Sequence, residues 1–98
     1  MDAQKTARFV ESLWDGEIIP ALTAYIAIPC KSPAFDPEWE RHGHMEKAIT
    51  LLTGWAKEKL KFLPGASLEV VRLAGRTPLI LIEVPGKADG TILMYRCV

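Results

Sequence analysis

The sequence predicts an α/β fold, with two N-terminal helices followed by three strands of a mixed sheet. Three observations predict it. Apolar residues recur at spacings of three and four over about residues 5–28, and again over about 37–61. The pattern changes to period two from Ser67 onward. Stretches rich in Pro and Gly separate the periodic segments.

The first helix carries Phe9, Val10, Leu13, Trp14, Ile18, Leu22, Tyr25 and Ile26 on one stripe. Gly16 and Pro20 interrupt it. Pro20 has no N–H for the carbonyl of Gly16, which predicts a kink or a restart there. The helix must stop ahead of Pro29, because the residue before a proline is pushed out of the helical region. Residues 29–37 hold three prolines without periodicity and read as an ordered loop. Asp36 ahead of Pro37 reads as an N-cap with proline in the first turn, and Glu38 suits the positive end of the helix dipole. The stripe of the second helix is Met45, Ala48, Ile49, Leu52, Trp55, Ala56 and Leu60. Lys57, Lys59 and Lys61 gather near its C-terminus, where cations are favoured, and Pro64-Gly65 ends it.

Residues 67–73 alternate, as a strand with one wet face does. Ala74 to Thr77 form a turn. Residues 78–84 are apolar on both faces except at Glu83, so this strand is expected to be the more deeply buried. A second turn spans 85–90, and a third strand, 91–95, is again apolar on both faces. Such strands need cover on both sides and neighbours on both edges. Two helices and three strands supply only part of that, so residues 1–98 read as the first piece of a larger α/β domain.

Composition narrows the functional classes. Of the 98 residues 49% are hydrophobic and 24% charged, the balance of a soluble globular chain. Twelve Lys and Arg offset twelve Asp and Glu, so no overall basic field attracts nucleic acid or an anionic membrane. Cys30 and Cys97 make neither a disulfide scaffold nor a CxxC zinc knuckle. No signal-peptide pattern and no run of about 20 apolar residues occurs, so the expected setting is cytoplasmic.

His42 and His44 with Asp36, Glu40 and Glu46 form the one cluster of histidines and carboxylates. Residues two apart on a continuous helix point about 200° apart, so the two histidines there cannot share an ion. Glu40 with His44, and His42 with Glu46, sit four apart, a spacing that can supply two metal ligands, but they read as surface histidines with local ion pairing. Cys30 has no neighbouring base in sequence and reads as a packed loop residue. Ser32 and Ser67 lack a GxSxG context, and the glycines form no phosphate-binding pattern. Trp14 and Trp55 lie on apolar stripes and read as core, while Trp39 can pin the Pro-rich loop. Arg72 and Arg76 are too dispersed for a nucleic-acid footprint. Glu83 reads as a strand-end residue facing solvent or pairing with Arg72. No catalytic, metal-ligating or substrate-binding residue is assigned.

Four stretches carry a family resemblance: Ile28-Pro29 with Ser32-Pro33, Phe35-Asp36-Pro37 with Trp39, Gly75-Arg76-Thr77-Pro78, and the strand Thr91 to Tyr95. Together they resemble the start of the zinc metallopeptidases that include dipeptidases, glutamate carboxypeptidases, acetylornithine deacetylase and succinyl-diaminopimelate desuccinylase. The resemblance runs from about Phe9 to Tyr95. It implies a hydrolase of peptides or N-acyl amino acids in which two zinc ions activate water and a Glu moves the proton. It also implies that the strand matching 91–95 runs into a Gly-His-x-Asp metal motif. Here Arg96, Cys97 and Val98 follow instead, which points to a change of reading frame. The resemblance therefore implies an inactive N-terminal fragment with no cofactor of its own. His42 and His44 match no ligand position of that family. The competing expectation is a small interaction module that self-associates or pairs through an exposed sheet edge.

Overall fold

A computed structural model describes residues 2–96. Helix α1 (Ala3–Leu13) starts at Asp2, whose Oδ1 accepts from the N–H groups of Gln4 at 3.0 Å and Lys5 at 3.1 Å. Those donors have no partner within the helix, so the cap stabilises the first turn. Trp14–Ile18 form a π-helical turn, and α2 (Ile19–Ile26) follows. The N–H of Ile19 donates to the carbonyl of Trp14, five residues back. The ladder thus takes up an extra residue just ahead of Pro20, which cannot donate. This is the form of the break expected at Gly16 and Pro20.

The second helix departs from the expected single span over 37–61. It starts at Trp39 and is divided into α3 (Trp39–His42) and α4 (His44–Leu60). Gly43 stands between them at φ 72°, in the left-handed region. Only glycine enters that region without a steric penalty, so α3 closes there and α4 leaves in a new direction. With α3 starting at Trp39, Asp36 is not its N-cap: Glu38 takes that place, and Asp36 Oδ1 accepts the Glu38 N–H at 3.2 Å in the turn just before the helix.

Strands β1 (Ser67–Val71) and β2 (Leu79–Glu83) pair antiparallel, with Ser67 opposite Glu83 and Val71 opposite Leu79. Gly65 and Pro85 continue that register beyond the ladder. The chain thus combines helices with a sheet, as an α/β chain does, but the sheet has two antiparallel strands. The expected third strand at 91–95 does not form. Its sequence has the strand pattern, yet a strand also needs a hydrogen-bonded neighbour. Ile92 is 91% exposed, and Leu93, Met94 and Tyr95 are nearly as open.

The core is small and sits on α4, which packs against α2 and β1. Ala48, Ile49 and Thr53 are its buried residues, at 4%, 8% and 9% exposure. The Thr53 hydroxyl donates to the Ile49 carbonyl at 2.8 Å, so its burial leaves no unpaired donor. Three expectations fail here. Trp14 and Trp55 are 47% and 41% exposed rather than core. β2 is the more open strand, with Leu79, Leu81 and Ile82 all exposed. Each failure has one physical reason: among the described residues no element packs fully over these faces.

Surface area measures that shortfall. The chain exposes 8523 Å². A folded monomer of 10.9 kDa exposes about 5,600 Å². Its radius of gyration is 16.1 Å, against about 13 Å for a compact domain of this length. Among the described residues no helix is long and apolar enough to cross a membrane.

Candidate functional site

The histidine and carboxylate cluster lies where the loop after α2 meets α3 and α4. Asp36 is held by two backbone contacts: its N–H donates to the Ser32 carbonyl at 2.9 Å, and its carbonyl accepts from Trp39 at 3.1 Å. Its Oδ2 lies 2.7 Å from Nδ1 of His42. An ionised carboxylate has no proton to donate, so Nδ1–H of His42 is the donor. This hydrogen bond, aided by the charge on a protonated His42, holds the Asp36 carboxyl below the ordinary carboxylate range. Nε2 of His42 lies 3.8 Å from Oε2 of Glu38, which is also 3.4 Å from Nη2 of Arg41. Both ring nitrogens of His42 therefore face carboxylates. Such an imidazole ties the loop to α3.

The expected angular separation of His42 and His44 assumed a continuous helix. Gly43 removes that condition, and the ring centroids lie 5.9 Å apart, tilted by 37°. Nδ1 of His44 is buried with no hydrogen-bond partner among the described residues. The expected pairs also rearrange. Glu46 pairs with Arg72 instead of His42, and Glu40 forms no ion pair with a described residue. Arg72 is thereby taken from Glu83, which stands exposed at the end of β2.

A zinc ion does not fit these residues. Asp36 and His42 bond to each other, and no three of His, Cys, Asp and Glu converge among the described residues. No chemistry through a metal is derived for this chain.

Cys30 is half-buried, and its thiol points at the thioether of Met45 at 3.8 Å. This contact fastens the loop to α4, in keeping with Cys30 as a packing residue. Cys97 lies outside the described residues. Ser67 opens β1. Trp39 is half-buried and forms one wall of a cleft of about 190 Å³ with Met45 and Pro78. Glu40, Arg76 and the Glu46–Arg72 pair complete its lining. Sequence reasoning missed this cleft. Trp39 and Arg76 are far apart along the chain, and only the α4–β1 packing brings them together.

In comparisons with known proteins, no family model matches the chain and no curated protein matches it.

Proposed function

We propose that this chain is scaffold, the opening helices and strands of a cytoplasmic, zinc-dependent dipeptidase- or carboxypeptidase-like hydrolase. In that reading the metal ligands, the general base and the site for a peptide or N-acyl amino acid come from other parts of the domain. The carrying observation is the uncovered surface, an excess of about 2,900 Å² over a self-contained monomer. Obligate interfaces bury about 2,000–5,000 Å² in total, about half of it on each partner, so this excess on one chain exceeds what one such interface covers. The apolar part of that excess is spread over the helical stripe from Phe9 to Ile26, over β2 and over residues 92–95, the faces that further layers of a larger domain would cover. The resemblance in Ile28-Pro29, Phe35-Asp36-Pro37 and Gly75-Arg76-Thr77-Pro78 supports the family assignment.

The test has two parts. The source DNA, translated in all frames beyond the codon for Tyr95, should continue into Gly-His-x-Asp and later His, Glu and Asp ligands. The purified chain should not hydrolyse dipeptides. Absence of those ligands in every frame, or chelator-sensitive hydrolysis by the chain alone, overturns the reading.

A second reading rests on the same sheet. It has two strands, so an outer edge of each is open among the described residues. An interaction module adding a partner's strand there is the alternative. Saturable capture of an extended apolar peptide, abolished by Leu81→Pro, would favour it; no capture would reject it.

A further inference from the structure

The cleft between α3 and the β1–β2 turn has an unusual charge arrangement. Its lining carries four ionisable side chains. Glu46 and Arg72 neutralise each other. Glu40 and Arg76 remain, and neither forms an ion pair with a described residue. They line one cleft with opposite charges and do not pair with each other. Trp39, Met45 and Pro78 supply the apolar part of the same lining. We propose that this cleft binds a free apolar amino acid as its zwitterion. Its carboxylate pairs with Arg76, its ammonium with Glu40, and its side chain lies against Trp39 and Met45.

Size and charge both select this ligand class. A cleft of about 190 Å³ is smaller than the 300–1,000 Å³ typical of drug-sized sites. That volume holds a single amino acid. The planar guanidinium of Arg76 matches a carboxylate in two parallel hydrogen bonds. Two Glu and two Arg leave the lining neutral overall, which suits a zwitterion better than a dianionic phosphate. A ligand with only one charge leaves either Glu40 or Arg76 uncompensated. This inference does not depend on the hydrolase reading.

Saturation-transfer NMR with L-leucine tests it and tolerates weak affinity or an associated protein. Leucine should show saturable transfer. Leucinamide, which lacks the carboxylate, and isocaproate, which lacks the amine, should each bind about tenfold more weakly or worse. Arg76→Gln should lower leucine to the level of leucinamide, and Glu40→Gln should lower it to that of isocaproate. Circular dichroism verifies that both variants keep the parent's helix content. If a variant unfolds, the analogue series on the parent chain decides alone. The proposal is overturned if leucine gives no transfer, if both analogues bind as well as leucine, or if both folded variants bind leucine like the parent.

Discussion

Alanine at Gly43 and at Gly65 separates two physical costs within one fold. Both positions have positive φ, 72° and 76°. Placing an L-residue there costs about 1–2 kcal/mol. Alanine also narrows the unfolded ensemble, which offsets about 0.4–1 kcal/mol. At Gly43 nothing lies within 4 Å of an added Cβ, so only the conformational cost remains. Gly43→Ala should therefore destabilise by about 1 kcal/mol. At Gly65 the added Cβ meets Cγ of Pro85 at 3.0 Å. The exposed Pro85 ring must then shift slightly as well, which adds about 1 kcal/mol, the low end of what overpacking costs in a core. Gly65→Ala should be the more damaging variant by that margin. Urea unfolding followed by far-UV circular dichroism measures both, through the midpoint at constant slope. A parent-like or stabilised Gly43→Ala would refute the left-handed junction and restore one continuous helix. Equal losses at the two glycines would refute the Pro85 contact.

Other outcomes follow from the same contacts. Ile49→Ala should cost about 2–5 kcal/mol in a urea titration, because Ile49 is among the few buried side chains. Ile92→Ala should stay within about 0.5 kcal/mol of the parent, because its side chain is almost fully open; similar losses at both positions would contradict the placement of the core. Asp36 titrates below its unfolded value, so the folded chain gains stability above about pH 4 and loses it as pH falls through the lowered value. Asp36→Asn should remove that part of the acid dependence. Superimposable acid titrations of parent and variant would show that the Asp36–His42 bond contributes nothing. Lys59→Ala breaks the pair with Glu17 and the contact 5.4 Å over Trp55. The loss should be at most about 1 kcal/mol and should shrink in high salt; a larger, salt-independent loss would point to packing instead.

Helices were the legible part of this sequence, because their apolar stripes are local. The break near Pro20 was visible from a missing donor, although its π-helical form was not. Gly43 escaped notice because a glycine inside a helical pattern gives no sign of its φ. That one torsion decides where His42 and His44 lie, so the candidate cluster was found but its geometry was misjudged. Trp14 and Trp55 lie on apolar stripes that read as core, yet nothing among the described residues covers them fully. The alternation of β1 was read correctly, since one face rests on α4. Residues 91–95 show the opposite case: the pattern favours a strand, but pairing depends on a neighbour that no local pattern specifies. The Trp39–Arg76 cleft depends on long-range packing and left only Trp39 as a trace.

This chain leaves far more surface open than a self-contained domain of its size. Small-angle X-ray scattering over a dilution series, coupled to size exclusion, tests it most directly. The account predicts a radius of gyration near 16.1 Å for the dilute monomer and association as concentration rises. A concentration-independent monomer near 13 Å would contradict it, because such a chain covers its own apolar faces.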